Sequence, residues 1–266
     1  MKTQLVSGPG FALDAARDIA SRGHAMKIVV EPSTDHVADF VHDVLVATLN
    51  ATPAAVLGLP TGGTPIPVYS RLVDSYRSGR CSFRHATTFN LDEYVGLGAA
   101  HPASYAAYMR EHLFDHVDCP PGQRNIPDGL ASDAALECAS YEQAIASAGG
   151  LDFLLLGLGQ NAHIGFNEPG SDFATRTRLV ELTASTIAAN ARYFEPGHHP
   201  PTTALSMGIG TIIEARKIII MATGATKAEA VRRMIVDAPS TDVPASALQM
   251  SVDVTVVLDP AAAAKL

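Results

Sequence analysis

The chain has 266 residues, of which 47% are hydrophobic and 17% charged, with a net charge of −8. This length and balance predict one soluble globular domain with a sizeable core and no disordered bias. The acidic balance argues against nucleic acid as a general partner, so any bound anion needs a local site; no apolar run approaches the roughly 20 residues of a membrane span.

Residues 1–25 read as an extension of undecided role. They lack the long apolar core of a signal peptide, and Phe11, Leu13, Ala16, Ile19 and Ala20 share one face of a helix that Gly23 would end. Residues 26–266 are expected to form a single domain, opening with the strand in "MKIVVEP". Val37, Phe40, Val41, Val44 and Leu45 are spaced for the buried face of a helix capped by Ser33 or Thr34. The strand "AAVLGLP" leads through glycines to a helix with Leu72, Val73 and Tyr76 inside, ending at Gly79. "ATTFNLDEY" reads as the next strand, and His112 and His116 fall at i, i+4 on a helix surface without a third metal ligand. The helix in "SDAALECASYEQAIASAGG" precedes the strand "LDFLLLGLG"; "ALSMG", "KIIIMATG", a helix in "TKAEAVRRMIV" and the strand "VTVVLD" complete the chain. Strands alternating with helices predict an α/β fold with a mostly parallel sheet covered on both faces. In such sheets ligands bind beyond the carboxyl ends of the strands, where every chemical motif of this chain lies. Cys81, Cys119 and Cys138 form no CxxC pair and fit reduced thiols in a cytoplasmic protein.

Three motifs stand out. "LGLPTGGTP" places Thr61, Gly62, Gly63 and Thr64 between a strand and a helix, where backbone N–H groups can approach an anion; a tight turn is the equal alternative. In "FNLDEYVGL", adjacent Asp92 and Glu93 point to opposite faces of an extended segment, so one faces a site while the other anchors structure. "GQNAHIGFNEP" gathers Asn161, His163 and Glu168 on one glycine-framed loop, and a carboxylate near a histidine can fix its tautomer. The ligand spacing of a zinc site is missing there, so acid–base work is favoured over metal. Lys227 opens a helix, where the dipole disfavours a cation unless an anion sits between them. His198 and His199 lie in a Pro-rich loop expected to be exposed.

With "LGLPTGGTP", "FNLDEYVGL", "HPASY", "AHIGFNEP", "TRTR", "NARYF" and "SMGIGT" in family order, the chain from about Met26 onward resembles the glucosamine-6-phosphate deaminases. The resemblance implies a Rossmann-like three-layer sandwich, a sugar-phosphate substrate, no cofactor and no metal. It implies conversion of glucosamine 6-phosphate and water to fructose 6-phosphate and ammonia. By the same resemblance His163, supported by Glu168 and Asn161, opens the sugar ring, and Asp92 carries a proton between C2 and C1. Thr61, Gly62, Gly63, Thr64, Arg192 and Lys227 match the phosphate site. A galactosamine-6-phosphate deaminase is the nearest alternative and a sugar-phosphate sensor a weaker one, since neither a basic recognition helix nor a second domain is visible. A homo-oligomer is left open. Asn161 stands where many members carry Asp, and Ala162 where Gly is usual. Ser171 and Arg178 match two positions of an effector site found in some members, whereas Val180 and Glu181 replace a lysine and a threonine. That pattern implies hyperbolic kinetics without activation by N-acetylglucosamine 6-phosphate.

Overall fold

The computed structural model describes residues 26–191, 194 and 200–266; the expected helix within residues 1–25 and the paired His198 and His199 lie outside the described residues. The strands are β1 (Lys27–Val30), β2 (Val56–Leu59), β3 (Thr87–Asn90), β4 (Asp92–Tyr94), β5 (Arg124–Asn125), β6 (Phe153–Gly157), β7 (Arg178–Glu181), β8 (Thr203–Ser206), β9 (Ile218–Ala222) and β10 (Val254–Leu258). The helices are α1 (Thr34–Ala51), α2 (Ile66–Arg77), α3 (Tyr105–His112), α4 (Ala134–Ser147), α5 (Ala184–Asn190), α6 (Ile209–Ile213) and α7 (Ala228–Val236).

Seven strands form one sheet in the order β1-β10-β9-β6-β2-β3-β5, and every neighbouring pair in it is parallel. Alternation along a single strand shows why the central strands β2, β6, β9 and β10 are almost wholly apolar. In β6, Leu154 and Leu156 join the core beneath α4, α6 and α7, while Phe153 and Leu155 join the core beneath α1, α2 and α3. With both faces covered, no position on such a strand can be polar without losing burial worth about 1.5–3 kcal/mol per large side chain. Helix α1 shows the complementary logic. The Ser33 hydroxyl accepts from the His36 N–H at its start, Asp35 lies in the first turn, and Val37, Val41 and Leu45 repeat every fourth residue on the buried face.

Two readings are corrected. "FNLDEY" is not one strand: the chain leaves the large sheet at Leu91, and β4 pairs antiparallel with β8, which pairs antiparallel with β7. "ALSMG" therefore belongs to this smaller three-stranded sheet and not to the parallel one. His112 and His116 are not on one helix either. Helix α3 ends at His112, and His116 closes a separate turn of 3₁₀ helix, with its Nε2 against the Glu111 carbonyl at 2.8 Å.

The order of the large sheet reverses between β2 and β6. From β2 the chain goes on to β3 and β5 on one side, and from β6 to β9 on the other. The loops after these two adjacent strands therefore diverge and open a crevice at the carboxyl edge of the sheet.

Candidate active site

That crevice is a cavity of about 660 Å³. Thr61, Gly62, Gly63 and Thr64 line it from the end of β2, Asp92 from β4, Asn161 and His163 from the loop after β6, and Lys227 from the turn after β9. Eight of the ten expected site residues fit on glycine-rich or strand-end positions there, and Glu168 stands directly behind Asn161. Arg192 lies outside the described residues.

The glycine loop is held from outside. Gly62 has φ +90°, a left-handed conformation suited to glycine. The Tyr69 hydroxyl donates to the Pro60 carbonyl at 2.5 Å, and the Tyr108 hydroxyl donates to the Gly62 carbonyl at 2.6 Å. With those carbonyls engaged by tyrosines, the loop sits rigidly at the mouth of the cavity. Across the cavity, both oxygens of Asp259 accept from the Gly224 N–H at 3.0 Å, which fixes the turn that carries Lys227. Burial lowers the Lys227 pKa, and no carboxylate pairs with it among the described residues. A desolvated, unpaired ammonium facing a cavity favours an anionic occupant.

Asp92 and Glu93 divide their work as adjacent residues on a strand must. Glu93 accepts from the N–H groups of Tyr94 at 2.8 Å and of Tyr105 and Ala106 at 2.9 Å each, tying β4 to the start of α3. Its pKa is raised by burial against the opposing pull of these three donors. Asp92 instead faces the cavity, and its pKa is pushed up to about 8 by burial first and by the Glu93 charge second. A carboxyl tuned to that range can both take and return a proton near neutral pH.

The loop after β6 builds a chain of hydrogen bonds. His163 Nδ1 lies 2.6 Å from Asn161 Oδ1, and Asn161 Nδ2 donates to Glu168 Oε2 at 2.6 Å. Since the amide spends its N–H on Glu168, its oxygen faces the imidazole, so Nδ1 carries the proton in neutral His163 and Nε2 keeps a free lone pair. Burial lowers the His163 pKa, with Glu168 opposing and Lys227 assisting, which favours that neutral form. The turn is tight: Ala162 has φ +65°, and a Cβ added to Gly159 would lie 2.4 Å from the His163 ring. The imidazole therefore rests directly on the Gly159 backbone.

Tyr105, Ser185, Thr186 and Asn190 also line the cavity and were not singled out from the sequence. Tyr105 belongs to the "HPASY" stretch, but nothing in its spacing marks it as facing a ligand. A Ser–His–Asp constellation elsewhere has a different meaning. His42 Nε2 lies 2.6 Å from Ser75 Oγ and its Nδ1 2.9 Å from Asp43, yet Ser75 is 0% exposed between α1 and α2. No substrate reaches that hydroxyl, so the trio satisfies buried polar atoms. Among the described residues no three His, Cys, Asp or Glu side chains converge as a metal-binding group.

The chain is similar to known proteins over most of its length. A glucosamine-6-phosphate deaminase of Cellvibrio japonicus (strain Ueda107) is 45% identical over 241 residues, covering 91% of this chain and 92% of the relative. One from Rhodopirellula baltica is 49% identical over 243 residues, covering 91% and 97%. The solved structure of a monomeric glucosamine-6-phosphate deaminase superimposes with a TM-score of 0.88 at 43% identity, over 91% of this chain and 100% of that one. A 6-phosphogluconolactonase from Trypanosoma brucei, at 22% identity and a TM-score of 0.73 over 92% of this chain and 100% of its own, shares the fold. The family model for glucosamine-6-phosphate isomerases/6-phosphogluconolactonase matches residues 31–257, and the chain belongs to that family.

Proposed function

We propose that this chain converts glucosamine 6-phosphate and water to fructose 6-phosphate and ammonia. One observation carries the reading: a neutral histidine with a free Nε2 and a carboxyl poised near pH 8 open onto the same cavity as a rigid glycine loop and an unpaired lysine. In this reading the phosphate sits on the N–H groups of Thr61, Gly62, Gly63 and Thr64 with Lys227 beside it, and Arg192 joins from the segment after α5. His163 Nε2 takes the proton of the C1 hydroxyl and delivers one to the ring oxygen, which breaks the ring C–O bond and frees the C1 aldehyde. Glu168 and Asn161 hold the imidazole in the tautomer this needs. Asp92 then removes the C2 proton, acidified by the neighbouring carbonyl, to give an enol-amine, and returns the proton to C1. The resulting C2 imine adds water and expels ammonia, leaving the C2 ketone.

No described helix is long and apolar enough to cross a membrane, and the free, buried Cys81, Cys119 and Cys138 support a reducing, cytoplasmic setting. A monomeric relative means that this architecture does not demand an oligomer. The effector site is read as lost: Glu181 puts a carboxylate where the family site has a neutral threonine. Ammonia release from glucosamine 6-phosphate, with the galacto epimer in parallel, tests the proposal. Release from the gluco substrate is expected; release from neither refutes it, and preference for the epimer transfers the assignment to galactosamine 6-phosphate.

A further inference from the structure

The two oxygens of Glu168 are held from opposite sides. Oε2 accepts from Asn161 at 2.6 Å, while Oε1 accepts from the Thr186 hydroxyl at 2.5 Å. Thr186 is 8% exposed and sits in the first turn of α5, the helix whose Ser185, Thr186 and Asn190 form one wall of the cavity. Thr183 donates to the same oxygen over a longer 3.3 Å, while its hydroxyl accepts from the Thr186 N–H as the cap of α5 and lies 3.0 Å from Thr186 Oγ1. The short, direct bond to Glu168 is therefore that of Thr186.

The polarity of the series is uniform. Thr186 donates to Glu168, Asn161 donates to Glu168, and His163 Nδ1 donates to Asn161. With both carboxylate oxygens fixed, Glu168 cannot rotate, the Asn161 amide cannot flip without opposing donor to donor, and the imidazole tautomer follows. Every member of the chain except Thr186 lies on the loop after β6. Thr186, with the longer contact of Thr183 beside it, brings in the opposite wall.

We propose that Thr186 is a positioning residue: its hydroxyl locks the Glu168 carboxylate and couples the α5 wall of the cavity to the His163 acid–base chain. This rests on the ring-opening role given to His163 above. It makes the orientation of His163 depend on where α5 stands, so a substrate that seats against Ser185 and Asn190 also sets the acid–base chain. No contact between Thr186 and the sugar is required.

Thr186→Val keeps the shape and removes the donor; Thr186→Ser keeps the donor. Loss of a hydrogen bond to a carboxylate is expected to lower kcat about tenfold to a hundredfold in the valine variant, with KM within about twofold of wild type. Serine is expected to restore kcat to within about threefold, with the melting temperatures of both variants close to wild type. Should valine prevent folding, Thr186→Ala, which only removes atoms, takes its place with the same expected loss. A valine or alanine variant that turns over at the wild-type rate overturns the proposal, as does a serine variant that loses as much as valine. A wild-type protein that releases no ammonia from either sugar defeats the functional reading itself, so the two failures are told apart.

Discussion

Replacing Asp92 by asparagine separates the cost of a buried carboxylate from its use. The Asp92 carboxyl is raised from 3.8 to about 8 in the folded chain. Between those limits the folded protein holds a proton that the unfolded chain has released, so stability falls as pH rises through this window and levels off above it. At about 1.4 kcal/mol per unit, the full shift bounds the loss at roughly 6 kcal/mol. The carboxyl opens onto a cavity and not onto close-packed core, so about half of that bound, roughly 3 kcal/mol, is the expected size. Asparagine has nearly the same shape, and no described residue donates a hydrogen bond to the Asp92 carboxylate that the change would break. Asp92→Asn is thus expected to melt with wild type near pH 4 and about 6 °C higher at pH 9, at roughly 2 °C per kcal/mol for a chain of this size. Its turnover is expected to fall by about a thousandfold, because an amide cannot take the C2 proton. Thermal unfolding across that pH range and an ammonia assay read both effects. A melting difference that is constant, or that shrinks as pH rises, would refute the account of Asp92 as a carboxyl kept protonated by burial.

Lys227→Ala is expected to raise KM about tenfold to a hundredfold by removing a charge-assisted phosphate contact, with kcat changed far less. An unaltered inhibition constant for a phosphorylated competitor would exclude that role. Gly159→Ala forces a methyl to within 2.4 Å of the His163 ring and is expected to lower kcat about a hundredfold by shifting the imidazole, leaving competitor binding intact. Full activity in that variant would mean that the ring position does not matter. Steady-state rates are expected to follow a hyperbola that N-acetylglucosamine 6-phosphate does not alter; a sigmoidal curve made hyperbolic by that compound would contradict the reading of Val180 and Glu181.

The large sheet was legible because β2, β6, β9 and β10 are apolar on both faces, and that continuous pattern needs helices on each side. The division between Asp92 and Glu93 followed from strand periodicity alone, although which residue faced the cavity did not. The break at Leu91 was hidden, since "FNLDEY" keeps strand-like composition on both sides of the point where it changes sheets. Strands β5 and β7 were missed for a different reason: two and four residues with partly exposed positions carry no period to detect. The link from Thr186 to Glu168 spans 18 residues and depends on how α5 packs against the loop after β6, which no local pattern encodes.

The change of sheet at Leu91 also bears on which substrates fit. The glycine loop and Lys227 extend from strands of the seven-stranded sheet, whereas Asp92 rides on the three-stranded one. A sugar phosphate gripped as proposed is anchored at one end by the first sheet and attacked at the other by the second. The offset between the sheets then works as a gauge of chain length. A five-carbon amino-sugar phosphate satisfies the same phosphate grip with one carbon fewer between it and the carboxyl, and a misplacement of about 1 Å is enough to cost about a hundredfold in rate. Discrimination by carbon count would therefore arise from the seam between two sheets, without any side chain having to touch the carbon that is missing.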